Sequence, residues 1–156
     1  MKSYFFITSL FCFFGSLSVQ AAERLSNEQW YRFWFISSFA TQTSARAVYA
    51  EAFLESKKVQ EACLVMASMV AEADRADESA QFVIEHYRKD NAAFSLKDRT
   101  RELFSLTNKA VSFCGSGYRY GHVDQKPKNA DEVRRLLKQI SPLAKEVATV
   151  ADNFRR

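Results

Sequence analysis

The chain is nearly without punctuation. Of its 156 residues only four are glycine and two are proline. Between Gly15 and Gly115 there is neither, so that stretch offers no residue that readily breaks a helix or seats a left-handed turn. Histidine occurs only as His86 and His122. The three cysteines, Cys12, Cys63 and Cys114, form no Cys-x-x-Cys, which removes the thioredoxin-like motif and the covalent haem attachment Cys-x-x-Cys-His. No apolar run approaches the ~20 residues that cross a bilayer core. No segment alternates with the two-residue period of a half-buried strand over a useful length. The net charge of +4 is mild, whereas nucleic-acid binding domains concentrate basic charge on one face.

What is present begins with an export pattern. Lys2 precedes the apolar run Tyr4 to Phe14, and Val19-Gln20-Ala21 sets up a cut before Ala22, the three parts of a signal peptide. The expected organisation is a signal peptide over residues 1–21 and a single helical domain over residues 22–156. Removal of the signal takes Cys12 with it and leaves two cysteines in an oxidising compartment, where pairing is the default. A Cys63–Cys114 disulfide is therefore expected. Closing a loop between positions 51 apart stabilises by about 4 kcal/mol on the chain-entropy account.

The remaining chain carries apolar residues at helical spacing. Ser26 with Gln29 three residues later has capping-box form and opens a first helix, whose inward stripe is read as Trp30, Phe33, Trp34, Ser37, Ala40, Thr41, Ser44, Ala45, Val48, Ala52 and Phe53. A break is expected between Glu55 and Lys58. The second helix repeats Val59, Cys63, Met66, Val70, Ala73, Ala80, Val83 and Tyr87, and Asp90-Asn91 ends it. Ser95 is read as the cap of the third, with Leu96, Thr100, Leu103, Thr107, Ala110 and Cys114 inward. Asn129 is read as the cap of the fourth, with Val133, Leu136, Leu137, Ile140, Ala144, Val147, Ala151 and Phe154 inward and a kink or restart at Ser141-Pro142. The predicted fold is all-α: an antiparallel four-helix bundle with one interhelical disulfide and a long loop before the last helix. On these boundaries Cys63 lies about 26 residues before the end of helix two and Cys114 about 18 past the start of helix three. That leaves a mismatch of roughly 12 Å for the connection to absorb.

Two regions are candidates for function. The segment Gly115 to Asn129 holds Gly115, Gly117 and Gly121 together with Tyr118, Arg119, Tyr120, His122, Asp124, Lys126 and Lys128. It is longer than the ~2–8 residues usual between bundle helices, and aromatic and arginine side chains on a tethered loop suit the anchoring of a partner. The second region is the start of helix one, where Trp30, Tyr31, Phe33, Trp34 and Phe35 place aromatics all round the helix. One helix face cannot bury them all, and Tyr31 and Phe35, off the main stripe, are expected at the surface or at an interface. Tyr118, Arg119, Tyr120, His122, Asp124, Tyr31 and Phe35 are thus the candidate partner-binding residues.

Catalysis finds less support. Gly115-Ser116-Gly117 is not a Gly-x-Ser-x-Gly elbow. His122 and Asp124 supply neither a nucleophile nor an orienting third group and fall short of a zinc ligand set. Haem ligation by Met66 or Met69 with His86 fails on distance, since 17 to 20 residues on one helix separate them by about 26–30 Å. No catalytic residue, metal ligand or cofactor is assigned. Acidic residues dominate Glu51 to Glu85 and basic residues dominate Lys97 to Lys138, as expected for helices matching one another inside one bundle or for a docking surface.

Cys114, Gly117, Tyr118, Gly121 and Asp124 resemble a Cys-Gly-Tyr-Gly stretch in small periplasmic immunity proteins of type VI secretion. The resemblance covers these positions alone, differs by one residue in the cysteine-to-glycine spacing and defines no family. The sequence therefore predicts a periplasmic or secreted, non-enzymatic protein-binding module of the inhibitor, immunity or accessory kind. Its partner would be another protein or a second copy of the chain, with no nucleic acid and no membrane span after signal cleavage. The alternatives are a carrier of a small ligand within the bundle and, less well supported, a hydrolase using His122 and Asp124.

Overall fold

In the computed structural model, which describes residues 25–115 and 130–156, the chain forms α1 (Asn27–Glu55), α2 (Val59–His86), α3 (Asn91–Ser112) and α4 (Ala130–Asn153). The expected signal at 1–21, the loop residues Tyr118, Arg119, Tyr120, His122 and Asp124, and the proposed cap Asn129 lie outside the described residues. α1 packs on α2 and α4, and α3 packs on α2 and α4, so the helices form an antiparallel four-helix bundle. No strand occurs among the described residues.

The capping box of α1 is formed: Gln29 N donates to Ser26 Oγ at 3.3 Å and Ser26 N to Gln29 Oε1 at 2.9 Å. α1 ends without glycine. Lys57 takes the left-handed conformation, φ 59°, and lets Lys58 N donate to Phe53 O at 2.8 Å and Lys57 N to Leu54 O at 3.2 Å. This is the paired closure of a Schellman turn, built on a side chain that ordinarily disfavours it.

The start of α3 corrects the sequence reading. The cap is Asp90, not Ser95: Ala93 N donates to Asp90 Oδ1 at 2.9 Å, and Arg88 Nε donates to Asp90 Oδ2 at 2.7 Å, holding the carboxylate in place. Ser95 is an ordinary exposed position in the second turn of α3. The earlier start makes the two arms equal. Cys63 lies 23 residues before the end of α2 (86 − 63) and Cys114 lies 23 past the start of α3 (114 − 91). The 12 Å mismatch disappears, and the cysteines meet as a disulfide with Cα atoms 5.8 Å apart.

α4 does not restart at Ser141-Pro142 but runs through it. Pro142 is on the exposed side, and Ser44 Oγ on α1 donates to Ser141 O at 3.2 Å, so a neighbouring helix holds the backbone next to the proline. The core is contributed by all four helices, with Phe33, Ile36, Met66, Met69, Leu103, Leu137 and Ile140 fully buried. Met66 and Met69 are thus packing residues. Thr100 Oγ1 donates to buried Asp77 Oδ1 at 3.0 Å, and Arg101 approaches the same carboxylate at 3.5 Å. An acidic residue of α2 is in this way matched by α3 within the bundle.

Candidate functional site

α1 determines where a surface site can be. Its buried residues are Phe33, Ile36, Ser37, Ala40, Thr43, Ser44, Ala47, Ala50 and Leu54. The inward stripe read from sequence is therefore rotated: Phe33, Ser37, Ala40 and Ser44 are buried as expected, whereas Trp30, Trp34, Thr41, Ala45, Val48 and Ala52 face solvent. Tyr31 is 55% exposed and Phe35 36%, as expected of both. Trp30 (39%), Trp34 (41%) and Tyr49 (63%) belong to the same surface and were not read as exposed.

Between Trp30 and Ala52, α1 itself puts no exposed charged residue on that surface. The ionisable residues of α1 between Glu28 and Glu51 turn to its neighbours instead. Arg32 reaches Glu28 at 3.9 Å and lies 3.8 Å over the Phe82 ring of α2. Arg46 Nε donates to Glu72 Oε1 on α2, and Glu51 meets Lys138 of α4 at 3.7 Å. Outward from Trp30 to Ala52 there remain only aromatic, aliphatic, small and uncharged polar side chains, along about 33 Å of helix. A helix that is apolar on its solvent side as well as its core side is a helix with something further to bury.

Beside this face a groove of about 680 Å³ runs between α1 and α4, lined by Thr41, Ala45, Val48 and Tyr49 on one wall and by Lys145, Ala148, Thr149 and Asp152 on the other. Thr41, Ala45, Ala148 and Thr149 are small residues on both walls and open a close approach for another backbone. At the end of the bundle where α1 begins, the aromatics are braced from below. Phe33 stacks on Phe154 with centroids 4.6 Å apart, Arg155 lies 5.0 Å over Trp30 and Arg88 lies 4.9 Å over Phe154. Stacked guanidinium groups restrict these rings, so the face is presented on a rigid support.

The described flanks of the loop lie away from the aromatic start of α1. Gly115 and Ala130, which flank the loop, are at the end of the bundle where α1 finishes; Arg134 reaches Leu54 O at 3.5 Å and Cys114 bonds to Cys63 near the start of α2. Tyr31 and Phe35 are in the first turns of α1, some 20 residues away along a helix that runs Asn27–Glu55, or about 30 Å. Tyr31 and Phe35 therefore join Trp34, Val48 and Tyr49, not the anchors of the loop.

The titratable residues that stand out serve the bundle. Glu72 is buried, one of its oxygens has no hydrogen-bond partner among the described residues, and burial pushes its carboxyl above the usual range against the opposing pull of Arg46. Asp90 is held below it by the backbone N–H of Ala93 and by Arg88. Among the described residues no three of His, Cys, Asp and Glu gather in a metal-binding group, and no helix is long and apolar enough to cross a membrane. His86 is exposed and stacks on Phe82 at 4.0 Å. The chain matches no family model, no curated protein and no solved structure, so what this face does has to be read from its own residues.

Proposed function

We propose that this chain is an exported, non-enzymatic protein-binding module of the periplasm or exterior, of the inhibitor, immunity or accessory kind, and that the outward face of α1 is its binding surface. The observation that carries the reading is the uncharged stripe bearing Trp30, Tyr31, Trp34, Phe35 and Tyr49 on the outside of a bundle whose core is already filled. Half-exposed tryptophan and tyrosine on a rigid helix are the residue types that dominate binding energy at protein interfaces. The disulfide supports export, since such bonds persist in oxidising compartments.

Affinity capture in the host, comparing the native chain with Trp34→Ala/Tyr49→Ala and with Tyr118→Ala/Tyr120→Ala, tests it. A bound protein lost with the first pair is the expected result. Loss only with the second pair would move the surface to the loop, and retention by both would remove the reading. The mature N-terminus, measured by intact mass, is expected at Ala22; a chain that keeps Met1 and stays inside the cell would contradict export.

A further inference from the structure

We propose that Glu72 is a proton-operated latch on Arg46. The ionised carboxylate holds the guanidinium against α2 with its charge cancelled, and the protonated acid leaves that charge uncompensated at the edge of the outward face of α1. This deepens the binding reading given above by naming a regulation of the same surface, and rests on it.

The way the pair is built argues for the latch. Glu72 is 6% exposed, and only one of its oxygens is engaged. Oε1 accepts from Arg46 Nε, while Oε2 is enclosed and has no hydrogen-bond partner among the described residues. A guanidinium and a carboxylate can share two parallel bonds; this pair makes one. An anion spreads its charge over both oxygens, so an enclosed, unbonded Oε2 penalises the ionised form far more than the neutral acid. Burial accordingly raises the Glu72 carboxyl, against the pull of Arg46 and Arg75. As pH falls, Glu72 takes up its proton before a carboxylate of ordinary affinity does.

The charges around the pair give that proton a consequence. Arg46 comes from α1 and Arg75 from α2 itself, and these are the charged groups that act on Glu72. α3, the other helix packed on α2, directs Arg101 to Asp77 at 3.5 Å instead. One carboxylate thus serves two guanidinium groups, and both border the uncharged face. Arg46 has a side chain 38% exposed. Gln42 lies four residues before it and Tyr49 three after it, the spacings at which neighbours on a helix surface meet. Arg75 lies 5.6 Å over the ring of Phe39, which stacks on Phe35 at 5.9 Å. Protonation turns the Arg46–Glu72 pair from neutral to positive and leaves the cation next to Tyr49, the most exposed aromatic of the face. A surface that binds through uncharged aromatics then has to desolvate a cation that lacks its counter-charge, which works against association.

Side-chain NMR of the chain purified from its own host tests the latch without any partner. The Glu72 carboxyl carbon should titrate above the ordinary carboxylate range. The Nε–H of Arg46, shielded from solvent exchange at neutral pH, should begin to exchange at the same midpoint. The ring signals of Tyr49 should shift with that midpoint in the native chain but not in Arg46→Met. Glu72→Gln should hold Arg46 and Tyr49 in the acid form at every pH. A carboxylate with a purely structural role would titrate without moving Tyr49; that result, or a Glu72 carbon that titrates within the ordinary range, overturns the latch. Affinity capture in host extract reads the regulation. Retention by the native chain should fall by roughly tenfold on acidification through the Glu72 midpoint. It should be as weak with Glu72→Gln already at neutral pH, and should lose this pH dependence with Arg46→Met. Retention that follows pH equally in Glu72→Gln overturns the regulation. If no protein is captured at any pH, the binding reading falls and the regulation with it, and the NMR titration alone upholds or overturns the latch.

Discussion

α1 and α4 lie side by side, and only one of them has finished burying its apolar residues. α4 puts Val133, Leu136, Leu137, Ile140, Ala144, Val147 and Ala151 into the core and leaves Lys138, Gln139, Lys145 and Glu146 in solvent, as an amphipathic surface helix does. α1 fills its share of the core with Phe33, Ile36, Ala40, Ala47 and Leu54, yet keeps Trp34, Val48 and Tyr49 outside. The difference separates residues that hold this bundle together from residues that the bundle does not need. Function is to be sought among the second group.

The largest effects should fall on that division. Ile140→Ala removes a fully buried side chain and is expected to cost about 2–5 kcal/mol of unfolding free energy. Val48→Ala, at 53% exposure, is expected to change the stability of the bundle by no more than about 0.5 kcal/mol. Urea titrations at low protein concentration measure both. Equal losses at the two positions would erase the difference between the helices.

The same division explains how far the sequence could be read. The α4 stripe was legible because one face is apolar and the opposite one charged, which gives the helical period a single phase. α1 has two apolar sides, so Trp30, Trp34, Thr41, Ala45 and Val48 form as regular a stripe as the true core set, and spacing by itself places the tryptophans inward. The signal that could have corrected this was the charges. Arg32, Arg46 and Glu51 all lie away from that stripe, and each proved to be directed at α2 or α4. The disulfide was legible from compartment and parity, but its fit was not, because Asp90 was assigned to the end of α2 when it caps α3. Ser95, with Asp98 three residues on, offers a competing cap, and the structure decides for Asp90, whose Oδ1 accepts from Ala93 N while Arg88 holds its Oδ2. Of the candidate surface, Tyr31 and Phe35 were found from aromatic crowding. Tyr49 was missed because no neighbouring aromatic drew attention to it.

A second, intermediate effect tests why the outer face of α1 is free of charge. Arg46 is turned to Glu72, whose side chain is 8% exposed while that of Arg46 is 38%. Arg46→Met leaves a buried carboxylate without the guanidinium that bonds it and is expected to cost about 1–3 kcal/mol at neutral pH, below the ~3–5 kcal/mol of a fully buried broken pair because the arginine is partly solvated. The pH dependence has a definite sign. Burial raises the Glu72 carboxyl above its ordinary value, so the folded chain binds this proton more tightly than the unfolded chain. The Glu72 contribution therefore opposes folding above that raised value and is relieved as pH falls through it. Glu72→Gln should stabilise at neutral pH, and its advantage, like the Arg46→Met penalty, should shrink on acidification through the window just above the ordinary carboxylate range. Asp90, held low, acts in the opposite sense, and its contribution is lost only at more acid pH. A Glu72→Gln difference that stays constant with pH would remove the buried carboxylate from the account.

The smallest effect is spectroscopic and reads the outer face of α1 directly. The chain has two tryptophans, Trp30 and Trp34, and both are on that face at about two-fifths exposure. Their emission should lie to the red in the folded chain, and acrylamide should quench both. The two rings should not respond equally. Arg155 already covers one side of Trp30 at 5.0 Å, whereas Trp34 has Phe35 beside it, with centroids 5.2 Å apart. Trp30→Phe, which leaves Trp34 as the reporter, should therefore be quenched more readily than Trp34→Phe, which leaves Trp30. Blue-shifted emission that acrylamide barely quenches in both variants would place the two indoles out of water and remove them from the outer face of α1.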